Sequence, residues 1–179
     1  MMFVPRRTIG AAVLFAFTLT ACQDDGGSKI TAQGTRTAAA APRHSEGAEH
    51  AMLGNDDLNW GPAPDVLPAG AQIAVVQGDP GAVGKIFTLR LRFPNGYVLK
   101  PHTHPEEEHV TVLTGTFLAG MGADFSNDGL VSLQAGGFMT MPKDAPHFAR
   151  TVGITEVQVH GIGPFQLTYV HPEDDPRNQ

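Results

Sequence analysis

One cysteine, one tryptophan and two tyrosines are all that 179 residues provide of those types. A single cysteine, Cys22, excludes an internal disulfide framework, a cysteine-rich zinc site and a pair of redox thiols. Basic residues are scarce as well: 12 Lys and Arg stand against 18 Asp and Glu, for a formal charge of −6. Arg6-Arg7 is the only adjacent basic pair, so no basic stripe invites nucleic acid. No apolar run is long enough to cross a bilayer. The longest, from Ile9 to Leu19, falls well short of the roughly 20 residues that a spanning helix needs. No phosphate-binding glycine loop and no aromatic platform are evident either. Abundant instead are 21 glycines and 14 prolines, which favour short elements joined by turns.

The first segment, MMFVPRRTIGAAVLFAFTLTACQ, has a basic start, a short apolar run and small residues before a cysteine, the layout of an export signal. Leu19-Thr20-Ala21-Cys22 resembles the lipobox of bacterial lipoproteins. The resemblance implies cleavage at 1–21 and acylation of Cys22, which would hold the protein on a membrane without a spanning helix. Gln23, rather than Asp, follows the cysteine, which in Gram-negative lipoproteins points to the periplasmic side of the outer membrane. Loss of Arg6 and Arg7 with the leader takes the formal charge from −6 to −8. Residues 22–55 lack aromatic and β-branched clusters and read as a lipidated cysteine and flexible linker.

From Trp60 onward one pattern repeats: a short β-prone run, then a turn signal. AQIAVVQ ends at GDPG, KIFTLRLRF at Pro94-Asn95-Gly96, and EHVTVL at Thr114-Gly115. TFLAGM, LVSLQ, FMTM, HFARTV, TEVQVHGI and FQLTYV follow. Nine or ten such runs, with no sustained helical period, predict an all-β sandwich or barrel over 56–172 and a short tail over 173–179. In KIFTLRLRF, Phe87, Leu89, Leu91 and Phe93 alternate with Thr88, Arg90 and Arg92, so the arginines are expected on the wet face.

The chain has eight histidines, and three of them fall with three glutamates within 102–109. His102 and His104, two apart on a strand, share a face. Pro105 ends that strand, and Glu108 opens the next, which can fold back beside the first. Glu106 and Glu107 lie in the turn and are expected in solvent. Downstream, His147 follows a strand and a proline turn and is a candidate fourth ligand. Three imidazoles and one carboxylate suit a divalent first-row transition metal better than a hard ion. His109 faces away from Glu108. Glu156, Gln158 and His160 share one face of TEVQVHG. If that face turns inward, Gln158 and His160 are candidates to bond substrate or to orient a metal ligand, and if not they are ordinary sheet residues. Tyr97, with Met139 and Met141, is a further candidate for the pocket wall.

Gly96, His102, His104, Glu108 and Gly115 fit the pattern G-x5-H-x-H-x3-E-x6-G, and Gly136, Pro142 and His147 fit most of G-x5-P-x-G-x2-H-x3-N. In these two motifs the chain resembles the cupin superfamily. Asp144 stands where glycine is usual and Thr151 where asparagine is usual. The resemblance implies a double-stranded β-helix, one jelly-roll barrel, with His102, His104, Glu108 and His147 holding one ion of iron, manganese, nickel, copper, cobalt or zinc. Small bacterial cupins, some similar to ChrR-like sensor domains, are the nearest likeness, and a homodimer is a further implication. Fold alone does not choose a reaction. The expectation is therefore a metalloenzyme of oxygenase or Lewis-acid type acting on a small molecule in the cell envelope, with a non-catalytic metal- or ligand-binding sensor as the alternative.

Overall fold

The computed structural model describes residues 51–179. The leader, the lipidation site at Cys22 and most of the linker lie outside the described residues. Among the described residues no helix is long and apolar enough to cross a membrane.

Among the described residues nine strands run in chain order: β1 Gly61–Pro62, β2 Gln72–Gln77, β3 Ile86–Phe93, β4 Val98–Thr103, β5 Glu108–Met121, β6 Val131–Gln134, β7 Phe138–Met141, β8 His147–Ile162 and β9 Thr168–Tyr169. All pairings are antiparallel. The long strand β8 is the spine. Along one edge its second half pairs with β3 and its first half with β4, while β5 runs along its other edge. The far edge of β5 is shared in the same way, by β7 at Glu108–Thr111 and by β6 at Thr116–Ala119. Each long strand therefore belongs to two differently directed halves, and the sheet curls into a double-stranded β-helix.

The curl has a local cause. The ladder between β5 and β8 shifts register on both sides of Thr114. Gly115 there has φ +75°, and a Cβ on it would lie 2.4 Å from the Ile154 carbonyl oxygen. Only glycine can hold a left-handed bulge at so close a backbone approach. Sequence punctuation at Thr114-Gly115 reads as a turn between two strands. In the fold it is a bend within one, and the same holds for Val152-Gly153 inside β8. FQLTYV, read as a full strand, contributes only the two residues of β9, because its first part serves as a loop over the barrel mouth.

Inside, Phe87, Leu89, Leu91 and Phe93 of β3 meet Val110 and Val112 of β5 and Val157 and Val159 of β8, all buried. Burial of each such side chain is worth about 1.5–3 kcal/mol. On the other face of β3, Arg90 and Arg92 do not simply face water. Both reach Glu156, at 3.4 and 3.0 Å, and Arg92 also covers the Trp60 ring at 4.1 Å. With Arg90 donating to Asn55 at 2.9 Å, this ties the start of the described chain to the outside of the sheet.

Candidate metal centre

Two departures from the usual motif residues prove well fitted. Asp144 is the one non-glycine residue with positive φ among the described residues (φ 59°), a conformation that Asp tolerates through its short polar side chain. Its backbone N–H donates to the carbonyl of His104 at 2.9 Å, so the turn before β8 is stitched to the histidine pair. Thr151 is buried. Its hydroxyl donates to the Pro94 carbonyl at 2.7 Å and accepts from the Tyr97 N–H at 3.0 Å. It fastens the turn that launches β4, the strand carrying His102.

His102 on β4 lies directly opposite His147 on β8, with ring centroids 4.2 Å apart. His104 stands one residue past the end of β4, beyond the strand on which a shared face was expected, yet it joins the same cluster. Its ring is 5.0 Å from that of His102 and 5.2 Å from that of His147. Glu108 begins β5 and enters from the other half of the barrel, between Met141 of β7 and Gly161 of β8. One ligand-type nitrogen from each histidine lies within 4.8 Å of the others. The four residues are almost wholly removed from water, at 3% exposure for His102, 4% for His104, 7% for Glu108 and 3% for His147.

Each ring is oriented the same way. Nδ1–H of His102 donates to the Lys100 carbonyl at 2.7 Å, that of His104 to Gln166 at 2.6 Å and that of His147 to Ala145 at 3.0 Å. A carbonyl only accepts, so Nδ1 carries the proton and Nε2 turns inward with its lone pair. Nε2 of His104 is 3.7 Å from one Glu108 oxygen, and Nε2 of His147 is 3.3 Å from the other. The cluster is thus a set of acceptors facing one another. Among the described residues Nε2 of His104 is buried with no hydrogen-bond partner, which is costly for a polar atom out of water. A cation satisfies all four groups at once, and the donor set fits a first-row transition metal. Backbone carbonyls behind every histidine are the supporting contacts that metal-bound imidazoles use.

Electrostatics agree. Burial, then the neighbouring His147 and His104, push His102 down to about 3, and burial also lowers His104. Burial by itself raises the Glu108 carboxyl, and only positive charge on the side of His147, His104 and His102, where a cation would sit, draws it below the usual range. Neutral imidazoles beside an ionised carboxylate are the state that binds a metal.

A cavity of about 110 Å³ adjoins the cluster and is reached by His102, His104 and Glu108. Its remaining wall is apolar. Pro64, Val66 and Leu67 come from the segment before β2, and Phe165 and Leu167 from the loop before β9. Ile73, Leu91 and Leu99 form the barrel side. His147 faces a smaller space of about 30 Å³ deeper in the barrel, where Met139 also sits.

The other residues singled out in the sequence lie elsewhere. Tyr97 is stacked on Phe93 at 4.9 Å and does not line the cavity. Its hydroxyl donates to the Pro68 carbonyl, and that of Tyr169 to Val66 at 2.8 Å, so the two tyrosines pin the wall segment from behind. Gln158 and His160 are on the outer face, opposite Val157 and Val159, which point into the core. Gln158 accepts from Arg90 at 3.3 Å, and His160 stacks on His109 at 4.9 Å. Neither reaches the cluster, because the inward positions of β8 are the apolar ones. His109 lies outside as expected, 2.8 Å from Glu107. Glu106 and Glu107 are turned to solvent. Sequence reasoning missed Phe165, Leu167 and Val66, which sit in segments with no periodicity to betray them.

No family model and no curated protein matches the chain. Solved structures do. The polyketide cyclase RemF from Streptomyces resistomycificus superposes with a TM-score of 0.59 at 14% identity, covering 72% of this chain and 90% of that one. A candidate acetylacetone dioxygenase from Methylibium petroleiphilum gives 0.57 at 18% identity, covering 75% and 90%. An RmlC-like cupin from Ralstonia eutropha gives 0.52 at 16% identity, covering 71% and 76%. The fold is that of the cupins. In this barrel the four convergent side chains occupy the positions that the two sequence motifs mark.

Proposed function

We propose that this cupin binds one divalent first-row transition metal through His102, His104, His147 and Glu108, and uses it as a small-molecule metalloenzyme of oxygenase or Lewis-acid type. The observation that carries the reading is the buried, partnerless Nε2 of His104 among three other inward-facing acceptors. When bound, the ion would supply a Lewis acid or a redox centre at the cavity wall. The chain's own part is to hold the three rings by their Nδ1–H groups, to bring one negative charge through Glu108, and to exclude water with the apolar wall. The fold does not choose the reaction, since it houses a polyketide cyclase and a candidate dioxygenase alike.

A second reading, a non-catalytic metal- or ligand-binding cupin of ChrR-like type, is favoured by one specific observation. Apart from His102, His104 and Glu108, no side chain lining the cavity can give or take a proton. In either reading we place the protein in the bacterial envelope, exported and anchored to the membrane through acylated Cys22, with a homodimer as the assembly suggested by the resemblance. The test is elemental mass spectrometry on protein starting after Cys22 and purified without chelator, compared with His102→Ala and His147→Ala. Stoichiometric transition metal, lost in both folded variants, is the expected result. Metal-free protein that also resists reconstitution would overturn the reading.

A further inference from the structure

The cavity beside the ligand set has a charge balance that narrows what can enter it. This step rests on the metal reading above. Imidazole ligands bind as neutral groups, so a divalent ion held by three histidines and one carboxylate keeps a formal charge of about +1. Nothing else in the wall compensates it. Pro64, Val66 and Leu67 on one side, Ile73, Leu91 and Leu99 on another, and Phe165 and Leu167 across the mouth have no polar side-chain atom. Asp65, the one charged residue in the wall segment, is exposed and does not line the cavity.

We propose that the cavity selects a small monoanion with an apolar body, bound through oxygen at the ion, and that Phe165 and Leu167 limit the length of that body. One negative charge neutralises the site, and every other atom of the ligand meets hydrocarbon. A second carboxylate, or an ammonium, would lose its water and find no partner, which is the most expensive kind of burial. A neutral ligand leaves the site's positive charge uncompensated. Volume sets the size. About 110 Å³ is less than the ~150 Å³ of an engineered apolar cavity that holds benzene, so the body is limited to about four or five carbon atoms.

The wall is built rather than adaptable. Phe165 stacks on the His104 ring at 4.7 Å with planes 18° apart and packs on Phe87 at 5.2 Å. Its backbone N–H donates to the Pro80 carbonyl at 2.7 Å. The next residue, Gln166, supplies the carbonyl that accepts the His104 Nδ1–H. One short loop thus closes the cavity and orients a metal ligand.

The test uses protein loaded with cobalt(II), whose uptake is measured before any organic probe is added. 3-Methylbutanoate, methylsuccinate, 3-aminobutanoate and 3-methylbutanamide are then compared by calorimetry and by the visible spectrum of the cobalt. The monoanion is expected to change the spectrum and to bind at least about tenfold tighter than the dianion, the zwitterion or the amide. Leu167→Lys, or Val66→Lys should that variant not fold, is expected to move the preference toward methylsuccinate by a similar factor. Phe165→Ala is expected to shift the preferred chain from 3-methylbutanoate toward octanoate. Equal binding of all four probes to cobalt-loaded protein, or a preference for the dianion, overturns the inference while leaving the metal site standing. Failure to take up cobalt overturns the metal reading, and this inference with it.

Discussion

Nε2 of His147 stands 3.3 Å from a carboxylate oxygen of Glu108, while Nδ1 of the same ring lies 3.0 Å from the Ala145 carbonyl. Both nitrogens therefore face acceptors. The backbone claims the one ring proton of a neutral imidazole, so the contact with Glu108 is favourable only when a second cation, a proton or a metal ion, lies between them. A site built in this way makes the folded state depend on what fills it.

Metal removal is expected to lower stability. An ion at a free concentration about a hundred times its dissociation constant adds roughly 2.7 kcal/mol to the folded state, and chelation takes that away. Glu108→Gln keeps the shape but loses the charge, and is expected to weaken metal binding by more than about tenfold. Melting curves with and without chelator, on wild type and variant, measure both. The variant's melting temperature should respond less to added metal.

Acid is expected to destabilise the metal-free protein, and the sign follows from His102. Its folded value is pushed down to about 3 from 6.5, so between these limits the unfolded chain binds a proton that the folded one refuses. Stability is complete above about pH 6.5 and falls as pH drops toward 3, by up to ~1.4 kcal/mol for each unit of difference between the two values. Denaturant unfolding of metal-free protein from pH 8 to pH 4 should show this slope, and His102→Gln should flatten it. An equal slope in the variant would remove His102 as its source.

Thr151→Val is nearly isosteric and removes a hydroxyl that both donates to Pro94 and accepts from the Tyr97 N–H. Leaving these buried groups short of partners is expected to cost about 1–3 kcal/mol. Urea denaturation measures the loss. Because the hydroxyl acts on the turn before β4 and does not touch the cluster, metal stoichiometry of the folded variant should be unchanged.

The ligand set was legible because its chemistry lies in close spacing: His102, His104 and Glu108 fall between 102 and 108, although β4 and β5 do not pair and Glu108 arrives from the other half of the barrel, and His147 follows a proline turn at the spacing the motif asks for. The barrel was legible from β-prone runs separated by turn signals. What stayed hidden is tertiary. Period-two alternation separates Gln158 and His160 from Val157 and Val159, but it does not say which face is inward. Gly115 and Gly153 look like turn residues whether the chain reverses or merely bends, so β5 and β8 each read as two strands. The cavity wall comes from Pro64–Leu67 and Phe165–Leu167, irregular segments far apart in the chain, placed by tyrosine hydroxyls and backbone hydrogen bonds that leave no periodic trace.

Glu156 gives the control that separates the outer face from the site. Its side chain is only 10% exposed and takes Arg92 at 3.0 Å and Arg90 at 3.4 Å, so Glu156→Gln leaves two guanidiniums without their shared counter-charge. Both arginines keep some access to water, which moderates the penalty to about 1–2 kcal/mol rather than that of a fully buried ion pair. The loss is expected to reach the start of the described chain as well, because Arg92 covers Trp60 and Arg90 holds Asn55. Trp60 is the only tryptophan, so its fluorescence reports that segment directly. The expected result is a red-shifted emission and a lower midpoint of unfolding with the metal content of wild type. Gln158→Ala and His160→Ala, on the same face, are likewise expected to keep the metal. Loss of metal in either of these two, with the fold intact, would mean that the outer face of β8 reaches the site after all.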